Sequence, residues 1–137
     1  MPCAAQRAGS TGPARPPNNT LCRAGSRLAY LGYAASKSYG VSISQFGPVL
    51  DAQMKRPRPT GWILDSEFHD LWYGFYCYEA EDFVLRGNDF HDNIKYGIDP
   101  HDRSRRLIIA ENKAYRTKEK HGIIVSREVD DSWIINN

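Results

Sequence analysis

The chain has 137 residues, 41% hydrophobic and 12% aromatic, enough for one modest domain with a buried core. Its 18 basic and 16 acidic residues leave a net charge of +2, and no apolar run reaches the roughly 18 residues of a membrane span. Three cysteines at wide spacing carry no metal-ligand signature, and the N-terminus has no apolar signal core.

Residues 1–25 are rich in Pro, Gly, Ala and Arg, show no period of 2 or 3.6, and are expected to be disordered. From Ser26 the texture changes to short β-branched and aromatic runs, so one domain is expected over 26–137. The first run, "YGVSIS" (39–44), is followed by "MKRPRPTG" (54–61), which reads as a loop because its prolines cannot sit inside a strand. Four runs then recur: "WILDSE" (62–67), "FVLRGN" (83–88), "LIIAEN" (107–112) and "WIINN" (133–137). Aligned on Glu67, Asn88, Asn112 and Asn137, they are spaced by 21, 24 and 25 residues. Between them lies a second series, "YGFYCY" (73–78), "YGIDPH" (96–101) and "HGIIVS" (121–126), whose glycines are 23 and 25 residues apart.

A period of 20–25 residues with two strand-like runs per repeat is a solenoid pattern. The regular Leu spacing of leucine-rich repeats is missing, and the bends carry Asn and Gly. The expected fold is therefore all-β, a right-handed parallel β-helix of about three to four coils, with equivalent residues stacked about 4.8 Å apart. The repeated Asn is expected at a left-handed bend position.

In that register Tyr78, His101 and Ser126 share a column, and Glu79, Asp102 and Arg127 share the next. His101 and Arg127 then approach each other if the strand bends near Pro100 or after Ser126. Such a pair suits removal of the weakly acidic C-5 proton of a uronate. A His or Tyr takes the proton, and an Arg on the carboxylate offsets the charge that develops. Return of a proton to the opposite face gives the C-5 epimer; loss of the C-4 oxygen gives a lyase product. A non-catalytic polysaccharide-binding β-helix is a further reading. "DPH" by itself also reads as a plain turn, and His121 as either core or groove. The basic clusters at 55–58, 103–106 and 116–120 read first as a solvated face, and no nucleic-acid motif accompanies them.

The segment "YGIDPHD" resembles the catalytic signature of mannuronan C-5-epimerases. The stretches "SRLAYLGYAASKSYGVSISQFGPVLDAQMKRPRPTGWILDSEFHDLWYGFYCYEAEDF", "YGIDPHDRSRRLIIAEN" and "KHGIIVSREVDDSWII" are similar to the periplasmic, calcium-independent members. The resemblance implies a polymannuronate (alginate) substrate, with His101 as the base and Arg127 as the charge neutraliser. It further implies Asp99 as a positioning residue and Tyr96 as an acid/base candidate. Asp102, Arg103, His121 and Tyr73 are expected to line the substrate groove. It implies a periplasmic location, an anionic polysaccharide as partner, an alginate export complex as a second one, and no cofactor. No "GGxGxD" calcium repeat occurs, so no metal is expected. Residues 60–81 contain no Lys or Arg, so a lysine from that coil, as in secreted relatives, is absent. The family extends for many more coils, so the chain reads as a fragment.

Overall fold

The structure, a computed structural model, describes residues 20–35, 38–44 and 58–137. These form twelve strands and no helix: β1 (Thr20–Ala24), β2 (Arg27–Ala29), β3 (Gly40–Ser44), β4 (Thr60–Leu64), β5 (Glu67–His69), β6 (Tyr73–Tyr78), β7 (Phe83–Arg86), β8 (Asp89–His91), β9 (Tyr96–His101), β10 (Ile108–Ala110), β11 (Lys113–Tyr115) and β12 (Trp133–Ile135). Every strand pair is parallel, and three sheets run along the stack in the orders β1-β4-β7-β10-β12, β2-β5-β8-β11 and β3-β6-β9. This is the right-handed parallel β-helix expected from the repeats, and "YGVSIS" is an earlier rung of the third sheet.

Two boundaries differ from expectation. Strand β1 lies inside the segment expected to be disordered and pairs with β4 from Thr20↔Thr60 to Ala24↔Leu64; residues 1–19 lie outside the described residues. The loop expected over 54–61 ends before β4 begins at Thr60, and residues 54–57 lie outside the described residues. Gly61 explains why β4 can start so early. Its φ is +145°, and a Cβ there would stand 1.8 Å from the carbonyl oxygen of Leu21, so only glycine lets β1 and β4 pass this closely.

The bends follow one rule. Asp65, Asp70, Glu79 and Asp82 turn one coil, and Gly87, Asp92, Asp102 with Arg103, and Arg106 turn the next. Glu111, Arg116, Arg127 with Glu128, and Asp131 turn the third; all have φ between +30° and +67°. A left-handed residue between two extended ones swings the strand into the next sheet, and outward-facing charged side chains tolerate the exposure. These charges pair between coils: Arg103 with Glu79, Arg106 with Asp82, Arg116 with Asp92. Two of the basic clusters are thus engaged in ion pairs along the stack.

Inside, equivalent apolar residues stack. Ile63, Leu85 and Ile109 form one column, and Phe68 lies on Phe90 with centroids 4.6 Å apart and planes at 9°. All are at most 2% exposed, and each such side chain contributes about 1.5–3 kcal/mol of burial. The asparagines do not occupy the left-handed bends as expected. The residues just before them do, namely Gly87, Glu111 and Asn136, while Asn88 and Asn112 are buried at 1% exposure. Each amide bridges coils: Asn112 Oδ1 accepts from Asn88 N–H at 3.0 Å, and Asn112 Nδ2 donates to Leu85 O at 3.0 Å. The preceding rung is Ser66 and not Glu67, since Glu67 pairs with Asp89. Ser66 is small and lets Asn88 Oδ1 reach its N–H at 3.0 Å.

Candidate active site

The outer face of the β3-β6-β9 sheet collects the polar residues singled out in the sequence. Along these strands Val41, Phe75 and Ile98 point into the core, and alternate positions point out. The outward columns are Ser42–Tyr76–Asp99 and Ser44–Tyr78–His101. The glycines beside them are steric requirements: a Cβ on Gly74 would lie 2.4 Å from Gly97 O, and one on Gly97 2.4 Å from Gly122 O.

After His101 the coil gains a residue. Tyr78↔His101 are 23 positions apart, whereas Glu81↔Arg105 are 24 apart. The extra residue sits at the doubled left-handed bend Asp102–Arg103, and the following coil repeats it at Arg127–Glu128. The Glu79 side chain accordingly meets Arg103 and not Asp102: Arg103 Nε donates to Glu79 Oε1 at 3.0 Å. Bends after His101 and after Ser126 are what the approach of His101 to Arg127 requires. Asp102 joins the two, with Oδ2 2.5 Å from His101 Nδ1 and Oδ1 3.9 Å from Arg127 Nη1.

A carboxylate only accepts, so His101 Nδ1 carries the proton and Nε2 keeps its lone pair. The same His–Asp unit occurs at His69–Asp70 (2.9 Å) and His91–Asp92 (2.6 Å). In those two copies Nε2 is engaged, by Arg27 Nε at 3.0 Å and by Glu67 Oε1 at 3.0 Å. Among the described residues His101 Nε2 has no such partner, and its side chain is 19% exposed. Arg127 stands beside it with its side chain 74% exposed and its contact with Asp102 loose, so the fork is open to an anion.

Asp99 is 3% exposed and accepts from Ser126 Oγ at 3.3 Å. Burial pushes its carboxyl up to about 6, against the pull of His101 and of the Ser126 hydroxyl. Tyr76, opposite Asp99, has its ring 5.5 Å from that of His101, and burial raises its phenol well above the usual range. Tyr73 is pushed up to about 12, first by burial and then by the Asp99 charge. Both phenols are therefore protonated near neutrality.

The remaining expected residues divide. Tyr73, Tyr96 and His121 come together in one aromatic column at the other end of the strands from His101. Tyr73 meets Tyr96 edge-on at 5.0 Å, and Tyr96 stacks with His121 at 6.1 Å. Tyr39 extends the column, stacked on Tyr73 at 4.4 Å. Tyr96 thus begins β9 while His101 ends it. Arg103, expected on the substrate, has its guanidinium on Glu79 and on Tyr78 Oη at 2.9 Å. Asp102 was expected on the substrate too, and the structure places it on His101. The signal for this was the His-Asp dipeptide, present three times in the chain. Among the described residues no group of three or more His, Cys, Asp and Glu is placed to hold a metal, and no helix is long and apolar enough to cross a membrane.

Fold and site together define a right-handed β-helix with an Asp-held histidine and an open arginine on one outer sheet face. No family model matches the chain. It is 68% identical over 110 residues to the mannuronan C5-epimerase AlgG of Azotobacter vinelandii, covering 80% of this chain and 21% of that protein. It is 65% identical over 112 residues to the mannuronan C5-epimerase of Pseudomonas aeruginosa, covering 82% and 21%. A crystal structure of the periplasmic alginate epimerase AlgG superposes with a TM-score of 0.73 at 67% identity, over 77% of this chain and 25% of that one. In sequence and in fold, what this chain is similar to is the mannuronan C5-epimerases. It spans about a fifth of the length of the curated relatives it matches.

Proposed function

We propose that the chain carries the proton-transfer site of a mannuronan C5-epimerase that converts mannuronate to guluronate within polymeric alginate in the periplasm. The observation that carries this reading is the contrast among the three His–Asp units. His101 alone offers an unengaged Nε2, and it does so beside the exposed guanidinium of Arg127. A uronate carboxylate on Arg127 brings its C-5 hydrogen towards His101 Nε2. His101 removes the proton, and the electron pair moves into the carboxylate, where Arg127 offsets the second charge. Asp102 holds the imidazole in the required tautomer and stabilises the imidazolium that forms. A water on the opposite face gives C-5 a proton, which yields guluronate, and the imidazolium returns the abstracted proton to the hydroxide left behind. Asp99, kept largely neutral by burial below about pH 6, shapes the floor beside His101 with Ser126 and Tyr76. Tyr96, Tyr73 and His121 line the groove at the other end of the strand from His101, where they face sugar residues flanking the one that reacts, and Tyr96 stands too far along β9 to share a C-5 with His101. On this reading the protein acts on polymer in transit, in contact with an alginate export complex; co-purification of the intact protein with that assembly tests the contact.

The activity test uses a chimera in which residues 26–137 replace the segment they resemble in the Azotobacter relative. After incubation with polymannuronate, proton NMR should show guluronate signals. Unsaturated chain ends would make the site a lyase, and unchanged polymer would make it a binding surface.

A further inference from the structure

We infer that Arg103 is a positioning residue, which with Glu79 and Tyr78 braces the bend that sets Asp102 against His101. This rests on the reading of His101 as the base. Asp102 and Arg103 are consecutive left-handed residues, with φ of 30° and 54°. Two such residues in succession are unfavourable for non-glycine side chains, so the bend must be held from outside. Every polar group of Arg103 that forms a contact pulls on it. The guanidinium donates twice to Glu79 Oε1, at 3.0 and 2.6 Å, and once to Tyr78 Oη at 2.9 Å, and lies over the Tyr78 ring at 5.7 Å. Its N–H donates to Arg127 O at 3.1 Å, and its carbonyl accepts from Arg58 Nη1 at 2.6 Å. The Glu79 N–H closes the bend from below by donating to Asp102 O at 3.0 Å. The coil before the base, the coil carrying it and the coil carrying Arg127 are thus tied together at one residue.

A lone ion pair half open to water contributes little. This one differs from the pairs at the other bends, Arg106–Asp82 and Arg116–Asp92, in two ways. Its guanidinium also donates to a phenol oxygen, that of Tyr78, and it adjoins the residue whose carboxylate fixes the base; a ring face alone does not set it apart, since Arg116 lies over Tyr115 at 4.7 Å. A displacement of Asp102 by an ångström would free the imidazole to turn, and errors of that size cost on the order of 100-fold in rate.

The test uses the same chimera and follows kcat and KM together with the downfield imidazole Nδ1–H resonance of His101, assigned by its loss in His101→Ala. Arg103→Met should lower kcat about 10- to 100-fold, leave KM in place and erase the resonance. The exchange Glu79→Arg with Arg103→Glu should restore both kcat and resonance, whereas a carboxylate at 103 would repel a polyanionic substrate if Arg103 bound it. Arg116→Met, which removes an ion pair of the same kind from another bend, should leave kcat unchanged. A raised KM with kcat retained and no rescue by the exchange would make Arg103 a substrate ligand. No change in either kcat or resonance would make it one more rung of the charge ladder. If the parent chimera does not epimerise, the functional reading fails, and the resonance alone then decides whether the brace exists.

Discussion

His101 ends a strand, is followed by a left-handed Asp, and gives its Nδ1 proton to that carboxylate, as His69 and His91 do. The turn is therefore a general device of this chain, and chemistry at one copy comes from what the neighbours leave open. His101→Ala should abolish epimerisation while polymer binding persists, because a neutral imidazole adds little to ground-state binding. Asp102→Ala should lower kcat by about 100-fold or more, since the ring loses both its tautomer lock and its counter-charge. Arg127→Lys should recover part of the loss in Arg127→Ala, a point charge replacing a fork. Retention of full kcat by Asp102→Ala would remove the carboxylate from the mechanism. The approach of His101 to Arg127 was legible in the column register, whereas the role of Asp102 was not. It depends on a one-residue insertion that shifts Glu79 onto Arg103, and no spacing in the sequence marks where the coil absorbs it. Asp99 yields a separate expectation. Its folded carboxyl lies near 6, above its unfolded value, so its ionisation opposes folding as pH rises from about 4 to 6. Asp99→Asn should therefore raise Tm at pH 7 and change it little at pH 4, as thermal unfolding at the two pH values will show.

Within the elements, the glycines of the recurring Tyr-Gly and His-Gly pairs align the repeats, and although glycine is expected at the bends, Gly74 and Gly97 lie inside β6 and β9. The glycine column stands where successive coils pass with no room for a side chain. Gly97→Ala would drive a methyl against Gly122 O, a backbone atom that cannot swing aside. The expected loss is about 1–3 kcal/mol. Gly25→Ala meets no atom within 4 Å and is strained only by its φ of +58°, so it should cost less. Chemical unfolding of the two variants compares them, and equal losses would refute the steric account. The asparagine repeat was legible as a repeat and misread as a bend. Its spacing is the same whether the amide caps a left-handed turn or lies one residue later inside the coil. The choice is made by the backbone: buried N–H groups at Ser66, Asn88 and Asn112 need acceptors, and only an inward amide reaches them. Strand β1 was missed for a related reason. "TLCRA" has little strand character of its own, and β4 recruits it through Gly61.

At the scale of the molecule, coils that touch only their neighbours make stability a sum of interfaces, and here titratable groups sit on each of them. Their signs differ. Hydrogen bonds from Arg106 and Arg116 hold Asp82 and Asp92 below the usual carboxylate range. Glu81 is lowered as well, where Arg106 and Arg105 outweigh its burial. Groups lowered in this way contribute stability above their unfolded pKa of about 4 and lose it as pH falls further. Asp99 works in the opposite sense, its cost growing up to about pH 6 and persisting above it. His91 is opposed by burial but raised on balance by its bonds to Asp92 and Glu67. Its contribution is complete below the unfolded value of about 6.5 and disappears as pH climbs through the raised folded one. The groups packed around it are His69 and Glu67 on β5, Asp89 and Asp92 beside its own strand, and Tyr115 and Arg116 on the β11 side. The lowered carboxylates rule out strongly acid conditions for maximal stability, and Asp99 with His91 rules out alkaline ones. Thermal unfolding should therefore peak between about pH 4 and 6, with Tm falling steeply below pH 4 and lower at pH 8 than at pH 5. Replacing Arg106 and Arg116 by Met should flatten the acid limb, and Glu67→Gln should flatten the alkaline one. A Tm at pH 8 equal to or above that at pH 5 would mean that His91 and the buried Asp99 do not govern how the coils hold together.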